Sequence, residues 1–225
     1  MPPIEYFALM AQEMVMSEDK TISYSLVWIE AKENFQKQTW RNRCTIYASE
    51  GPLNLSYPIL HEGGTHKIPI TEIKIDYSED WILNHKRAIV SAYRNSAYFE
   101  YYSDEFFAIL DKKYEKLFDL NLQLIKFFIK KLMLSVDLKL TTEYSKDGQQ
   151  YGKDYRDIIH PKKKNNILKD LGIEKPYFQV FAQKHGFISN LSIMDLLFNE
   201  GPDSILYLLR SLKPSYQANL QASKI

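Results

Sequence analysis

The sequence has little of several features that would place it in a special class of protein. It contains one cysteine, Cys44, so no intramolecular disulfide can form, and we expect a reducing compartment. Basic and acidic residues nearly balance, at 29 against 28, which leaves a formal net charge of +1. Because binding to a nucleic-acid backbone needs a clear basic excess, we expect no nucleic-acid partner.

A long uncharged apolar run is also missing. The most apolar stretch, residues 117–134, contains Lys126, Lys130 and Lys131, and charges in the middle of a bilayer are costly. The sequence therefore predicts a buried helix here and no membrane span. Residues 1–7 lack the basic and apolar blocks of a secretory signal, so we expect a cytoplasmic protein.

Aromatic residues, by contrast, are abundant. With the three tryptophans, the 16 tyrosines and 12 phenylalanines bring the aromatic share to 14% of the 225 residues, a length that suffices for one sizeable core. Each ring buries a large area, so we expect most of them to pack in that core. Tyrosine-rich surfaces also suit sugars and bases.

Hydrophobic periodicity divides the chain into segments. β-Branched and alternating patterns predict strands at residues 22–29, 45–48, 53–60 and 68–75. Helical spacing then predicts helices that open at Ser78, Ser103 and Leu117, the first two with serine at the N-cap.

The remaining segments alternate between strands, loops and helices. We predict strands at 136–142 and 177–181, a long loop or lid at 144–171 with a short helix at 165–171, and helices opening at Ser192 and Pro202. Asp195 would complete an acidic variant of the capping box. This order predicts an α/β single domain over residues 1–213, in which helices of the middle and C-terminal parts pack a mixed sheet built from the N-terminal third and later strands. Residues 214–225 are expected to be a polar tail.

Residues 34–44 are the most informative segment. They combine three cations, two glutamines, two asparagines and two aromatic residues, a mixture that suits a pocket for a polar, partly anionic ligand. Arg41 and Arg43 are two positions apart, so on a strand they would face the same side. Two interpretations stay open: edge-strand arginines that pair with carboxylates, or guanidinium groups that hold a phosphate or carboxylate ligand.

Four motifs in this order resemble the WbqC-like protein family over roughly residues 4 to 210. They are IEYF at 4–7, QKQTWRNR at 36–43, His85 followed by Ile89 and Tyr93, and LSIMDLLFNEG at 191–201. The resemblance implies work on a sugar nucleotide or activated amino sugar in bacterial surface-polysaccharide biosynthesis, including that of O-antigen. Acyl or aminoacyl transfer to an amino sugar is one reaction that it suggests.

The resemblance also implies functional positions. Those that match the family's motifs are Gln36, Arg41, Asn42, Arg43, His85, Tyr93, Ser192, Asp195 and Asn199. The chain departs from the family pattern before Tyr6, where Pro2-Pro3-Ile4-Glu5 stands in place of the usual His-Gln-Pro. A site built partly from that segment would be altered.

Other side chains have chemistry of their own. His85 suits a general base near neutral pH, with a hydrogen-bonded structural role as the alternative. Cys44, beside Arg43, suits a thiolate nucleophile, with a buried inert thiol as the alternative. His61, Glu62 and His66 have metal-binding chemistry, but two glycines between them make a flexible loop and no helical His pair is present. We therefore expect no metal and no other cofactor.

These observations lead to a function hypothesis. A group-transfer enzyme would bind a nucleotide-linked or amino sugar, and His85 would be its catalytic base, taking a proton from the attacking amine. The residues predicted to bind the substrate are Tyr6, Gln36, Arg41, Asn42, Arg43 and Tyr93. The alternative is a non-catalytic glycan or nucleotide-sugar binding protein that associates with polysaccharide-biosynthesis enzymes. An unrelated interaction domain is the third possibility.

Overall fold

The computed structural model describes residues 1–12, 25–60, 67–146 and 148–209. The helices in these ranges are α1 (Ile4–Gln12), α2 (Trp81–Tyr93), α3 (Phe99–Asp111), α4 (Leu117–Lys131), α5 (Ile167–Asp170), α6 (Ala182–His185), α7 (Ile193–Glu200) and α8 (Ser204–Leu208). The strands are β1 (Ser25–Ile29), β2 (Arg43–Ala48), β3 (Gly51–Ser56) and β4 (Val136–Leu140). The predicted tail and the loop at 61–66 lie outside the described residues.

The four strands form two pairs. β1 runs parallel to β4, with Ser25 opposite Val136, whereas β2 and β3 form an antiparallel hairpin with Arg43 opposite Ser56. The hairpin turns at Gly51, whose φ of 108° favours glycine. Parallel and antiparallel pairing therefore both occur, although in two two-stranded sheets. The predicted α/β class is confirmed.

The helices build the core around α4 and α7. Phe128 of α4 lies with its ring centroid 6.0 Å from that of Phe106 on α3 and 5.9 Å from that of Phe7 on α1. Phe198 of α7 contacts Phe106 at 6.2 Å. Residues 193–199 of α7 are all buried, so this helix is enclosed on every side. Much of the aromatic content thus stabilises the core by burial, as predicted.

Helix α1 was not predicted. Its buried residues Ile4, Phe7, Ala8 and Ala11 follow the i, i+3, i+4, i+7 spacing of a helix face, so the signal was present in the sequence. The helix is seated against the turn before α7, because the Ile4 amide donates to the Leu191 carbonyl oxygen at 3.0 Å. This contact brings the first and last motifs together.

Two helices begin at residues other than those predicted. The N-cap of α2 is Asp80, whose Oδ1 accepts a hydrogen bond from the Leu83 amide at 3.2 Å. The Ser78 amide instead donates to Asp76 Oδ1 at 2.8 Å. Helix α3 begins at Phe99, ahead of the predicted start at Ser103.

Two predicted strands are wrong. Residues 68–75 contain a 3-10 turn, Ile70–Glu72, and only single bridges, such as that between Ile59 and Ile75. Residues 177–181 form no strand, because the Phe178 amide donates to the Glu200 side chain at 3.1 Å instead of to a neighbouring strand and the chain turns at residues 180–181. The short helix expected at 165–171 is confirmed as α5.

The end of the described chain follows the prediction more closely. α7 begins after Ser192, although the Ser192 side chain makes no capping hydrogen bond, so the capping box is wrong. The helix stops at Gly201, whose φ is 54° and where a Cβ would collide with the Tyr98 ring. None of the helices in the described ranges is long and apolar enough to cross a membrane.

Candidate functional site

A cavity of about 380 Å³ lies among α1, β1, α4, the turn before β2 and the segment 148–159. Its volume is within the range of small-molecule sites, roughly 300–1,000 Å³. Aromatic rings from all five of these segments line it: Tyr6, Trp28, Trp40, Phe118, Tyr151 and Tyr155. The Trp28 and Tyr151 rings touch, with their centroids 4.9 Å apart, so β1 and the loop meet at the wall.

A buried ion pair forms one polar part of the wall. Arg41 donates from Nε to Glu33 Oε1 at 2.6 Å and from Nη2 to Glu33 Oε2 at 2.5 Å. Glu33 is only 8% exposed, and both residues line the cavity. Asn121 of α4 holds the same turn, since its Nδ2 donates to the Arg41 carbonyl oxygen at 2.6 Å. The pair therefore offers a fixed guanidinium whose charge is already balanced.

A second ion pair fastens the long loop to β1. Arg156 donates from Nη1 to Glu30 Oε2 at 2.8 Å and from Nε to Asp154 Oδ1 at 3.0 Å. Its Nη2 reaches the Ser145 carbonyl oxygen at 2.7 Å. The hydrogen bonds that Arg156 donates to Asp154 raise the pKa of Arg156, so this cation is permanent. Gly148 lies next to this ion pair, and a larger residue would not fit there because its Cβ would come within 2.8 Å of Asp154.

The rest of the wall is largely apolar. Helices α1 and α4 and strand β1 contribute aliphatic and aromatic side chains, among them Leu9, Met10, Leu26, Phe118, Leu122 and Ile125. Such a wall favours apolar groups of a ligand, whereas the two ion pairs favour hydroxyl or carbonyl groups. The cavity is suited to an amphipathic small molecule.

Two of the predicted binding residues, Tyr6 and Arg41, meet in this cavity. Burial raises the pKa of the Tyr6 hydroxyl, an effect that the nearby Arg41 charge partly offsets. Arg41 lies in the turn before β2 and Arg43 is the first residue of that strand, so the expectation that both face one side of a strand is wrong. The carboxylate-pairing interpretation holds for Arg41.

Asn42 and His85 both lie against Tyr57 in a second place, where the Tyr57 amide donates to the Asn42 carbonyl oxygen at 2.8 Å, and Arg43 follows Asn42 and is paired with Ser56 across the hairpin. Asn42, Arg43 and His85 join Tyr57 and Trp81 in what we call the aromatic-polar cluster, and none of its five residues lines the cavity. The His85 ring centroid is 5.6 Å from that of Tyr57 and 5.1 Å from that of Trp81. Within the described part of the chain, each member has a buried polar atom without a hydrogen-bond partner: Asn42 Oδ1, Arg43 Nε, Tyr57 Oη, Trp81 Nε1 and His85 Nδ1.

The environment of His85 keeps the imidazole neutral. Burial lowers its pKa to about 4, although a hydrogen bond to the Ser56 backbone acts in the opposite direction. At pH 7 the ring is therefore uncharged, with its unpartnered Nδ1 available as an acceptor if Nε2 carries the proton toward Ser56. These surroundings favour the structural interpretation, and the catalytic role stays a prediction.

Tyr93, Asp195 and Asn199 belong to a third, buried network. Tyr177 donates to Asp195 Oδ2, Gln179 Nε2 donates to the same oxygen at 3.0 Å, and Asn199 Nδ2 donates to the Asp195 carbonyl oxygen at 2.8 Å. The Tyr93 hydroxyl accepts a hydrogen bond from the Tyr47 amide at 3.2 Å. Burial raises the pKa of Asp195 to about 6. The network ties α2, β2 and α7 together in the interior.

The remaining sequence candidates lie elsewhere. Gln36 is half-buried in the turn, where its carbonyl oxygen accepts from Thr39 Oγ1 at 2.9 Å. Cys44 is 1% exposed, and burial raises the pKa of its thiol to about 11, so it is protonated rather than nucleophilic. No group of three or more His, Cys, Asp or Glu side chains in the described ranges could hold a metal.

Comparison with known proteins agrees with the motifs. The profile of the WbqC-like protein family matches residues 1–207. The chain belongs to the WbqC-like protein family. It is 27% identical over 194 residues to the uncharacterized protein Rv1507c of Mycobacterium tuberculosis, an alignment that covers 77% of this chain and 83% of that relative. No solved structure matches the chain.

Several wall residues of this WbqC-like chain were not predicted. Glu30 and Arg156 are 126 positions apart, so no local pattern connects them. Trp28 was predicted only as part of a strand, and Asn121 only as part of a helix. The composition of residues 34–44 did contain a signal for Trp40, because an aromatic ring among so many donors is unusual in a solvated loop.

Proposed function

We propose that this WbqC-like protein binds a sugar, free or nucleotide-linked, in the 380 Å³ cavity and acts in bacterial surface-polysaccharide biosynthesis in the cytoplasm. The observation that carries the proposal is the meeting of Tyr6 and Arg41, from two separate family motifs, in the wall of one cavity. Family membership supports the pathway, and the chemistry of the wall supports the ligand class.

The wall has groups that suit a sugar. Trp28, Tyr151 and Tyr155 present aromatic surface, on which the apolar C–H groups of a sugar ring can pack. Arg41 has five N–H groups and uses two of them with Glu33, so the others remain for ligand hydroxyls. Since Glu33 already fixes the guanidinium, little side-chain freedom would be lost on binding.

For the enzyme form of the proposal, the reaction is group transfer to an amino sugar. The sugar's amine nitrogen attacks the carbonyl carbon of an activated acyl or aminoacyl donor. A C–N bond forms, the bond to the leaving group breaks, and a proton leaves the nitrogen. His85 is the predicted acceptor of that proton. Because His85 does not line the cavity, the ligand or the protein would have to move before the proton could be transferred to it.

One observation favours the alternative, a non-catalytic binding partner of such enzymes. No histidine, cysteine or serine is among the described residues that line the cavity. Of its carboxylates, Glu30, Glu33 and Asp154 are all held by arginine. A wall of this kind recognises a ligand more readily than it transfers protons.

Thermal stabilisation by UDP-, GDP- and dTDP-sugars and by free amino sugars tests the proposal. We expect a rise in Tm with at least one sugar, loss of that rise in Trp28→Ala, and its retention in Tyr101→Ala, a control on α3 whose side chain is 79% exposed. The absence of any shift in the wild type would contradict the proposal.

The enzyme and the binder are separated by turnover. His85→Phe keeps a ring of similar size in the aromatic-polar cluster. Binding with lost acyl transfer in this variant supports the enzyme, whereas a wild-type protein that binds sugar but transfers no acyl group from activated donors supports the binder.

A further inference from the structure

We infer that the cavity recognises the sugar itself, and specifically a sugar bearing an apolar substituent such as an N-acyl or deoxy group, rather than the diphosphate of a nucleotide sugar. The inference rests on the proposed function, because it names the part of the ligand that the cavity takes.

The balance of charge in the wall argues against a diphosphate. The described lining residues include three acids, Glu30, Glu33 and Asp154, and three bases, Arg41, Lys153 and Arg156. Both guanidinium groups are already paired with these carboxylates. A diphosphate would lie beside those same carboxylates, and like charges at close range are unfavourable. The remaining cation, Lys153, is exposed.

The apolar wall argues against an unsubstituted hexose. A hexose carries hydroxyl groups around most of its ring. Where such a group met Leu26, Leu122 or Ile125, it would lose its hydrogen bonds to water and gain none from the protein. A methyl or acyl group in the same place would instead be removed from water, which is favourable.

The polar groups that remain unpaired suit the rest of such a ligand. Arg41 lines the cavity and uses two of its five N–H groups with Glu33. Its spare guanidinium N–H groups are available to ring hydroxyls or to an acyl carbonyl oxygen. The wall therefore matches a molecule with hydroxyl and carbonyl groups in one part and an apolar group in another.

Calorimetric titration with matched ligands tests the inference. The ligands are the methyl glycosides of glucose, glucosamine, N-acetylglucosamine and a 6-deoxy hexosamine, together with UDP and UDP-N-acetylglucosamine. We expect the N-acyl or deoxy sugar to bind about tenfold more tightly than its unsubstituted counterpart, since burying one or two methyl-sized groups is of that order. UDP alone should not bind, and the nucleotide should add little to the affinity of the sugar.

A matched pair of variants locates the preference. Leu26 lines the cavity and is 50% exposed, so Leu26→Asn should leave folding intact and abolish the preference for the substituted sugar. Leu83 is 40% exposed on α2 and is not part of the wall, so Leu83→Asn should keep the preference.

The outcomes separate the two proposals. Equal binding of substituted and unsubstituted sugars, or tight binding of UDP alone, overturns the inference and leaves the proposed function standing. A lack of binding by every sugar and nucleotide sugar overturns the proposed function, and the inference with it. An unchanged preference in Leu26→Asn shows that the apolar wall does not cause it.

Discussion

The cavity and the aromatic-polar cluster are built from neighbouring positions of one motif, yet they treat polar groups in opposite ways. Around the cavity, the charge of Arg41 is paired with that of Glu33 through two hydrogen bonds. In the cluster, Arg43 Nε and Asn42 Oδ1 are buried and have no hydrogen-bond partner among the residues that the structure describes. The two regions therefore hold different kinds of polar group. The cavity wall contains charges that are paired with each other. The cluster contains the neutral ring of His85 and several polar atoms that have no partner among the described residues.

This difference has a physical cause. A charge can be buried when a fixed counter-charge offsets its desolvation, which Glu33 supplies to Arg41. His85 has no acid beside it in the described structure and stays neutral instead, which its lowered pKa reflects. Each region should therefore respond differently when one polar group is removed.

The largest effect is expected from Arg41→Met. The substitution leaves Glu33 buried without its partner, which should lower the free energy of unfolding by about 3–5 kcal/mol. Adding Glu33→Gln should restore most of that loss, and urea unfolding of the single and double variants measures both. Lys74→Met, which removes an exposed pair with Glu115, is the control and should change little. A loss below about 1 kcal/mol for Arg41→Met would mean that Glu33 is well hydrated.

The next effect concerns pH. The pKa of His85 is 6.5 in the unfolded chain and about 4 in the folded chain. This residue therefore stabilises the fold above pH 6.5, and the contribution is lost as pH falls towards 4. Asp195 has the opposite sign: its pKa is about 6 when folded against 3.8, so its stabilising contribution is complete below pH 3.8 and is lost as pH rises through 6.

The two contributions should therefore oppose each other between about pH 4 and 6. Relative to the wild type, His85→Phe should lose stability as pH rises through this window, and Asp195→Asn should gain it, each by up to about 3 kcal/mol. Urea unfolding at several pH values measures the differences. Parallel profiles for all three proteins would show that neither group is shifted.

A smaller effect is expected from Arg156→Lys. Lysine keeps the charge but cannot bind Glu30, Asp154 and the Ser145 carbonyl at once, so the loop should be held less firmly by about 2 kcal/mol. Hydrogen exchange should accelerate at the amides of residues 144–160 and stay unchanged in α7. Equal acceleration in both segments would indicate global destabilisation instead.

The smallest effect is expected from removing an unpartnered hydroxyl group in the aromatic-polar cluster. Tyr57→Phe removes a buried hydroxyl that has no partner among the described residues, so the free energy of unfolding should stay within about 0.5 kcal/mol of the wild type or rise. Tyr47→Phe removes a hydroxyl that donates to the Gly186 carbonyl oxygen at 2.7 Å and should cost about 1 kcal/mol. A larger loss for Tyr57→Phe would indicate that its hydroxyl is bonded in solution.

Much of the fold follows from local pattern. α4 was predicted at 117–134 and observed at Leu117–Lys131, because its apolar spacing decides the structure by itself. The segment 68–75 was wrongly predicted as a strand because Ile73 and Ile75 lie on alternate positions, as in a strand. A strand also needs a ladder of backbone hydrogen bonds to a neighbouring strand, which depends on a segment elsewhere in the chain. Only single bridges form there.

The site was predicted in part for a related reason. Motif composition indicated Arg41, and the family resemblance indicated Tyr6. Nothing local indicates that Arg41 faces the cavity while Arg43 faces away, because that depends on the turn before β2. Tertiary structure decides that Arg41 pairs with Glu33 and that Arg156 pairs with Glu30, and no sequence pattern indicates these pairs.

The hydrogen bond from Ile4 to Leu191 has a consequence for how the chain reaches its native state. Helix α1, which carries Tyr6, gains this contact only when a segment almost two hundred positions later has been synthesised and docked. Contacts of such long separation slow folding, because a large loop must close before they give any stabilisation. Nascent chains halted before α7 should therefore lack a finished cavity and be sensitive to proteolysis at their first helix.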